Sequence, residues 1–272
     1  MLNERKLAIL GLGTMGQALA RGLMQGDGLS QPGAIRGTVK HAEKTAALAA
    51  ECEFDVGTDN AEAARSSDVL LLCTKPKSAA AVMAQLAESG ALDHNPLVIS
   101  VAAGVSTATL EAAAGRSLPV VRAMPNTPCR INQGMTVLSA GAHAGPEDLA
   151  TAEAIVSPLG RVVRLDEEHM DAVTGLSASG PAFIYVVIEA LAEGGVMVGL
   201  PRKVATELAA QCVQGAARMV LETGRHPADL KDEVTTPAGC TISALLALED
   251  GKLRSVLARG VQEAARAAGE LG

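Results

Sequence analysis

Residues 6–26 read KLAILGLGTMGQALARGLMQG, an apolar run followed by a glycine-rich turn and then an amphipathic segment. The run KLAILGLG predicts a buried β-strand, and TMGQALARGLMQG predicts a helix that follows it directly. Gly11, Gly13 and Gly16 have GxGxxG spacing, which permits a tight turn, close approach of a diphosphate to the backbone, and close packing of helix on strand. The stretch therefore predicts a dinucleotide site, although glycine-rich turns of this kind also occur without a ligand.

Alternating apolar runs and helical patterns continue to about residue 166. Further strands are predicted for AIRGTVK (34–40), DVLLLCTKP (68–76), PLVISVAAG (96–104) and LPVVRAMPNTP (118–128). Continuous apolar runs are typical of parallel strands that are buried on both faces. A weaker strand–helix–strand pattern over residues 134–165 extends the predicted sheet. We therefore expect an α/β fold in which residues 1–166 form a doubly wound, mostly parallel sheet of the Rossmann type.

Strand signals stop after residue 166, so residues 167–272 are expected to form a second, all-α domain. A helix is predicted over residues 201–224, because the pattern begins at a proline and ends at a glycine. The segment Phe183–Val198 is apolar almost all the way round, which is typical of a helix buried on every side. We expect a second copy of the chain to cover it; the alternative is the central helix of a monomeric bundle.

Composition narrows the classes of function. The chain has 272 residues, of which 48% are hydrophobic, with two Phe, one Tyr, no Trp and a formal charge of −7. Without a basic face or stacking aromatics, nucleic-acid binding is not expected. The cysteines lack CxxC spacing, which favours a reducing, cytoplasmic location, and no histidine pair has the spacing of a metal site. Glycines in the N-terminal run argue against a secretory signal, and no membrane-spanning segment is expected.

The predicted end of the second strand carries Lys40 and His41 in place of the acidic residue that would bind a ribose 2′-hydroxyl. A cation there attracts the 2′-phosphate of NADPH. We therefore expect NADPH, with NADH also possible; the alternative is a solvated lysine at a strand end. Ligands bind such sheets beyond the carboxyl ends of the strands. The other strand ends expected at this edge are Thr74-Lys75-Pro76, Ala102-Ala103-Gly104 and Met124-Pro125-Asn126.

A turn rich in Thr, Pro and Gly precedes an apolar helix in DEVTTPAGCTISALLALEDGKL (232–253). The helix is expected to open on Thr241, so that several N–H groups and hydroxyls surround its N-terminus. Such an arrangement suits an anionic ligand, because unpaired amides and the helix dipole both favour negative charge at a helix start. From these residues alone, the alternative is that Thr241 serves as an ordinary N-cap.

Seven segments occur in order across nearly the whole chain: GLGTMG, TKP, SVAAGVS, RAMPNTP, DAVTGLSASGPAFIYVVIEALAEGG, GLP and LKDEVTTPAGCTISAL. Together they closely resemble the pyrroline-5-carboxylate reductases, and the C-terminal segments are the most specific. Two stretches depart from the family pattern. The family commonly has Gly-Gly-Thr or similar after the proline, where this chain has Pro237 followed by Ala-Gly-Cys-Thr. ASGPA (178–182) also stands in place of GSGPA.

The resemblance implies reduction of a cyclic imine to L-proline by NAD(P)H, and a helical domain that interlocks with its twin into a homodimer, often within a decamer. It places cofactor contacts on Gly11, Gly13, Thr14, Met15, Gly16, Lys40, His41, Asn60, Thr74, Lys75, Pro76, Ala102, Gly104, Pro125 and Asn126. It places substrate contacts on Thr236, Gly239, Cys240 and Thr241, and the amides of the last three are expected to hold the substrate carboxylate. Solution can supply the proton that activates the imine, so Thr241 is assigned as the catalytic residue in a positioning role, not as a strong acid.

Two other functions fit parts of the sequence. A β-hydroxyacid dehydrogenase also begins with a glycine turn and ends in helices. Its catalytic lysine, with an asparagine one turn further on, has no counterpart between Asp171 and Gly199. A non-catalytic NADPH-sensing module would keep the glycine turn but has no need of the turn at residues 236–241.

Overall fold

A single sheet organises the first two thirds of the chain in the computed structural model, which describes residues 5–25 and 34–270. Its strands are β1 (Leu7–Leu10), β2 (Ile35–Thr38), β3 (Asp55–Gly57), β4 (Val69–Leu72), β5 (Leu97–Ser100), β6 (Val120–Met124), β7 (Gly134–Ala140) and β8 (Gly160–Arg164). They lie in the order β3-β2-β1-β4-β5-β6-β7-β8, and all neighbours are parallel except β6 and β7. The predicted fold class and the extension by residues 134–165 are confirmed. Gly26, at the end of the predicted first helix, lies outside the described residues.

Helices connect the strands on both faces of this sheet. They are α1 (Thr14–Gln25), α2 (Thr45–Cys52), α3 (Asn60–Arg65), α4 (Pro76–Glu88), α5 (Thr107–Ala114), α6 (Pro146–Val156) and α7 (Met170–Val173), which runs into a π-helical turn over Thr174–Ala178. Local side-chain chemistry determines where several of these helices begin. The Asp59 carboxylate accepts the first N–H groups of α3, Ser106 caps α5, and Pro76 occupies the first position of α4.

The sheet core is aliphatic on both faces. Alternate residues of each strand supply the two sides, with Leu7 and Ile9 facing α1, α2 and α6, and Ala8 and Leu10 facing α3, α4 and α5. β1, β4 and β5 are buried along their whole length, which explains why their sequences are continuous apolar runs.

Among the elements that were not predicted from the sequence are β3 and α3. β3 has three residues, of which only Val56 is buried, and its pairing with β2 defines it as a strand. A run this short has no periodicity of its own, so tertiary pairing decides its structure.

The chain divides into two compact units, Met1–Ser179 with Glu263–Gly272, and Gly180–Gln262. The first unit contains the whole sheet together with α7 and the π-helical turn. The division into a cofactor domain over residues 1–166 and a helical domain over residues 167–272 stays a prediction.

Helices alone make up the second unit. They are α8 (Gly180–Met197), α9 (Arg202–Thr223), α10 (Pro227–Glu233), α11 (Cys240–Asp250) and the start of α12 (Leu253–Gly269), whose last turns belong to the first unit. The interior is small, because Ala192 of α8 packs against Ala205 and Ala209 of α9. α9 ends at Gly224, whose φ of 65° is the left-handed C-cap expected from the proline-to-glycine pattern.

Large apolar side chains are exposed on this second unit. In α8, Tyr185 is 62% exposed and Met197 is 88% exposed, while Ala192 is its one buried residue. This exposure contradicts the alternative of a central helix in a monomeric bundle. The helical run Glu167–Met197 is long and apolar enough to cross a membrane, judged by length and composition alone. The absence of a membrane-spanning segment therefore stays a prediction.

Arg122, in the middle of β6, is a buried charge, with 5% of its side chain exposed. Its Nη1 lies 3.4 Å from Glu167 Oε1, and its Nη2 lies 3.5 Å from Asp171 Oδ1. The same glutamate accepts hydrogen bonds from the N–H and the hydroxyl of Thr107, at 2.8 and 2.5 Å. A Cβ atom at Gly269 would lie 3.2 Å from Asp171 Oδ2, so α12 ends against this cluster. The cluster joins β6, α5, α7 and the C-terminal end of α12.

Arg122→Ala is expected to lower the free energy of unfolding by about 3–5 kcal/mol, because it leaves the partly buried Glu167 without its cation. Arg116→Ala is the matched control, since Arg116 pairs with Asp93 at the surface and such pairs contribute less than about 1 kcal/mol. Urea unfolding followed by circular dichroism measures both variants. Equal losses in the two variants would contradict a special role for the buried arginine.

Candidate functional site

The glycine turn after β1 is built by close backbone contacts. Gly11 has a φ of 101°, and a Cβ atom on it would lie 3.0 Å from the carbonyl oxygen of Cys73. A Cβ atom on Gly16 would lie 2.3 Å from the carbonyl oxygen of Gly11. Gly13 is exposed and has nothing within 4 Å of its Cβ position, which leaves open space above the turn. Two glycines are therefore required by the fold, and the third leaves room for a ligand.

Hydrogen bonds hold this turn against the end of β2. The N–H groups of Gly11 and Leu12 donate to the carbonyl oxygen of Thr38 at 3.2 and 2.8 Å. The Thr38 hydroxyl in turn donates to Oδ1 of Asn60, the first residue of α3, at 2.6 Å. Asn60 therefore supports the turn through Thr38. Thr14 and Met15 occupy the first two positions of α1; Thr14 is exposed, and Met15 is half-buried against the core.

Parallel register aligns the carboxyl ends of the strands next to this turn. Leu10, at the end of β1, pairs with Thr38 and with Leu72, and Leu72 pairs with Ser100. Three predicted groups of residues therefore leave the sheet at one edge. They are Gly11–Gly16 after β1, Thr74–Pro76 after β4, and Ala102–Gly104 after β5.

The residues at this edge fit a dinucleotide. The hydroxyl of Thr74 is buried and has no hydrogen-bond partner, an arrangement that normally costs free energy unless a ligand or water completes it. Beside it, burial raises the pKa of the Cys73 thiol to about 12, so this thiol is neutral and repels no phosphate. The open space at Gly13 and the N-terminus of α1 supply the room and the positive dipole end that a diphosphate needs.

Beyond β2, Lys40 and His41 are both exposed, at the position where a ribose 2′-substituent is expected. His41 Nδ1 lies 3.5 Å from Glu43 Oε1, so this imidazole already has a carboxylate beside it. Among the residues that the structure describes, Lys40 has no ion-pair partner and remains available to an anion.

Beyond β6, Pro125 is buried and Asn126 is half-buried. Both polar atoms of the Asn126 side chain are used inside the protein, since Oδ1 accepts from the N–H of Met135 at 2.9 Å and Nδ2 donates to the carbonyl oxygen of Ser177 at 3.2 Å. The resemblance placed a cofactor contact on this residue, but its side chain is already engaged.

The turn before α11 belongs to the second unit. α11 begins at Cys240 with Gly239 as its N-cap, and no side chain caps it. The expected opening on Thr241, and the alternative of Thr241 as the N-cap, are therefore wrong. Ala238 has a φ of 58° and the N–H of Gly239 donates to the carbonyl oxygen of Thr236 at 3.0 Å, so the tight turn sets the helix start one residue earlier than expected.

This shift changes which amides can bind a ligand. The Gly239 N–H, expected to hold a carboxylate, is occupied within the turn. The N–H groups of Cys240 and Thr241 lie in the first turn of α11, where no helical carbonyl oxygen can accept them. A Cβ atom on Gly239 would lie 2.5 Å from the Thr236 hydroxyl oxygen, so a larger residue at the N-cap position would have to displace the Thr236 side chain.

Other parts of the described chain show no competing site of this kind. Over residues 5–25 and 34–270, no group of three or more His, Cys, Asp or Glu side chains is placed to hold a metal ion. A cavity of about 220 Å³ lies between β7, α6 and Glu167, and none of the predicted site residues line it. The sequence reasoning missed Arg122 and Ser177; a charge inside the apolar run LPVVRAMPNTP was the available signal for Arg122.

Both halves of the chain match known protein families. Residues 167–271 match the family described as pyrroline-5-carboxylate reductase dimerisation. Residues 6–104 match the family described as NADP oxidoreductase coenzyme F420-dependent.

Whole proteins match over the full length as well. The chain is 42% identical over 271 residues to the pyrroline-5-carboxylate reductase of Methanosarcina acetivorans, covering 100% of this chain and 99% of that one. The solved structure of the Coxiella burnetii pyrroline-5-carboxylate reductase superposes with a TM-score of 0.91 at 33% identity, covering 99% of each chain. That of the Plasmodium falciparum pyrroline carboxylate reductase with NADP bound has a TM-score of 0.88 at 27% identity, covering 100% of each chain. With this identity over the full length, the chain belongs to the pyrroline-5-carboxylate reductase family.

Proposed function

We propose that this chain reduces 1-pyrroline-5-carboxylate to L-proline, the last step of proline biosynthesis, with a reduced nicotinamide cofactor as the hydride donor. The observation that carries the proposal is the 42% identity over the full length to a pyrroline-5-carboxylate reductase. Two local features support it. One is the Gly11–Gly16 turn in the first unit, with open space at Gly13, and the other is the start of α11 in the second unit, which no side chain caps.

NADPH is the proposed cofactor. When bound, it supplies the hydride. The N-terminus of α1 and the space at Gly13 would hold the diphosphate, and the Thr74 hydroxyl would gain the partner that it lacks in the protein alone. Lys40 would attract the 2′-phosphate, and a relative with NADP bound supports that choice. NADH remains an alternative donor.

The substrate carboxylate is proposed to bind at the start of α11. The N–H groups of Cys240 and Thr241 point out of the first helical turn, and the helix dipole adds a positive potential there. Thr236 and Gly239 shape the turn through their mutual hydrogen bond and so fix the direction of those amides.

The imine nitrogen needs orientation more than a strong acid. Once the imine nitrogen is protonated from solution, the imine carbon accepts a hydride readily. The protein's task is then to hold that carbon in place. The half-buried Thr241 is proposed to position the ring nitrogen through its hydroxyl. Such positioning can contribute up to ~7–11 kcal/mol in favourable cases. The proposal therefore requires the nicotinamide to contact the imine carbon.

Self-association is part of the proposed function. The second unit exposes Tyr185, Val186, Met197 and Val198, and its sequence matches a dimerisation family. Large exposed apolar patches are typical of protein interfaces. We propose a homodimer through this unit, with decamers built from such dimers, in the cytoplasm.

A direct assay tests the reaction and separates the alternatives. The purified chain, given 1-pyrroline-5-carboxylate and NADPH, is expected to form proline with loss of absorbance from the reduced cofactor. A β-hydroxyacid dehydrogenase would oxidise hydroxyacids with NADP⁺ and leave the imine unchanged. An NADPH sensor would bind the cofactor with no turnover of either substrate, and either result would refute the proposal.

Lys40→Ala is expected to reduce the preference for NADPH over NADH by about fivefold, which corresponds to roughly 1 kcal/mol at an exposed site. The kcat/KM values for both cofactors measure this preference, and added salt should shrink it in the wild type. Lys6→Ala is the control, because Lys6 carries the same charge just before β1, at the opposite edge of the sheet. An unchanged preference in Lys40→Ala would rule out this role.

Thr241→Ala is expected to lower kcat by about 10- to 100-fold, the effect of losing a hydrogen bond to a charged group worth roughly 1.5–3 kcal/mol. The Kd for NADPH, measured by fluorescence titration, should change little. Thr206→Ala is the matched control, because the exposed Thr206 hydroxyl bonds only to the carbonyl oxygen of Arg202 in its own helix. Parallel losses in kcat and NADPH affinity would contradict the positioning role.

A further inference from the structure

The π-helical turn Thr174–Ala178 contains a carbonyl group that its own helix leaves without a donor. An α-helical carbonyl oxygen accepts from the N–H four residues later. For Ser177 that residue is Pro181, which has no N–H group. The alternative i+5 pattern of the π-helical turn, seen in the bond from the Ser179 N–H to the Thr174 carbonyl oxygen, is interrupted by a bend at Ser179. The chain therefore needs a donor from elsewhere for this oxygen, because an unsatisfied and partly buried carbonyl group costs free energy.

Asn126 supplies that donor. Its Nδ2 donates to the carbonyl oxygen of Ser177 at 3.2 Å, with a longer contact of 3.5 Å to the Ser177 hydroxyl oxygen. Its Oδ1 accepts from the N–H of Met135, at the start of β7. The side chain is thus held on both sides and ties the turn after β6 to the π-helical turn.

The π-helical turn lies beside the cofactor edge of the sheet. A small apolar cluster joins the end of β6, β7 and α7 to the turn after β5. Its members are Met124, Val137, Met170 and Val173, with Ala103 and Ala178 packed against them. Ala103 belongs to the Ala102–Gly104 turn, on which the family resemblance places cofactor contacts. A shift of the π-helical turn would therefore disturb the packing beneath this turn.

We propose that Asn126 is a positioning residue that satisfies the carbonyl group orphaned by Pro181 and so fixes the π-helical turn beside the cofactor. The inference rests on the proposed reductase activity. It assigns the Asn126 side chain a role other than a direct cofactor contact, which the family resemblance had placed on this residue. π-helical turns occur frequently at functional sites, where their geometry must be held by the surrounding structure.

Asn126→Asp distinguishes a positioning role for Asn126 from a direct cofactor contact. The aspartate keeps an oxygen for the N–H of Met135, but it sets a carboxylate oxygen against the carbonyl oxygen of Ser177. We expect kcat to fall by about 10- to 100-fold, the size of effect that small misplacements produce, while the Kd for NADPH stays within about twofold. Ser177→Ala is the matched control, because it keeps the backbone carbonyl group and should retain kcat within about twofold.

A double-mutant cycle with Pro181→Ala tests the cause. In the Pro181→Ala variant, residue 181 has an N–H group that can donate to the Ser177 carbonyl oxygen. The fold-loss of kcat caused by Asn126→Asp should therefore be at least three times smaller in Pro181→Ala than in the wild type. The same four proteins are also compared by the urea concentration at which each is half unfolded, a measurement that needs no enzymatic activity. A midpoint coupling therefore tests the hydrogen bond even if the wild-type chain fails to turn over pyrroline-5-carboxylate, a result that would refute the proposed function separately.

Three results would overturn the assignment. The first is an NADPH Kd that rises as much as kcat falls, which would make Asn126 a cofactor contact. The second is an unchanged kcat in Asn126→Asp. The third is strict additivity of Asn126→Asp and Pro181→Ala in both the kcat and the unfolding cycles. If Asn126→Asp does not fold, the unfolding cycle is run with Asn126→Ser, and additivity there has the same meaning.

Discussion

The cofactor edge depends on how closely the turn after β1 can approach its neighbours. A side chain on Gly11 would meet the backbone of Cys73 on the adjoining strand, and one on Gly16 would meet the carbonyl oxygen of Gly11 itself. Backbone atoms cannot rotate away as a side chain can, so any substitution must move a strand or a helix. Because β1 lies between β2 and β4, such a movement spreads to both sides of the edge. Close packing of three segments thus produces the turn at which we propose the diphosphate binds.

A second point of organisation lies on β6. Arg122 holds the segment leading into α7 through Glu167 and Asp171, and Asn126 holds the π-helical turn that follows. The first contact is ionic and nearly buried, while the second is a neutral hydrogen bond at the sheet edge. Both restrain the stretch through which the chain leaves the first unit. Polar contacts at one strand and the glycine turn at another therefore both hold the segments that meet at the carboxyl edge of the sheet.

The sequence allowed prediction of those features that follow from local chemistry. Buried parallel strands gave continuous apolar runs, and α9 could be bounded by a proline and by Gly224. β3 escaped prediction because pairing with β2 alone makes three residues a strand. The start of α11 was misplaced because Ala238 adopts a left-handed conformation that favours glycine or asparagine, and no residue pattern reveals that choice. The partners of Arg122, and the Ser177 partner of Asn126, lie 45 or more residues away in the chain, beyond the reach of local patterns.

The composition of the second unit favours a protein partner over a lipid one. Between α8 and α9 the fully buried residues are three alanines, with Ile188 and Val196 partly buried against them, so little apolar surface is buried for a unit of this size. The large aliphatic side chains lie instead on exposed faces, so burying them requires another surface. A bilayer would also have to accept Glu189 and Glu193, both exposed on α8. Ionisable side chains near the centre of a membrane cost about 2.5–3.5 kcal/mol each on insertion scales, whereas the rim of a protein interface hydrates them freely. An apolar helix interrupted by two glutamates therefore suits a second folded chain, which can cover the aliphatic stripe and leave the carboxylates in water.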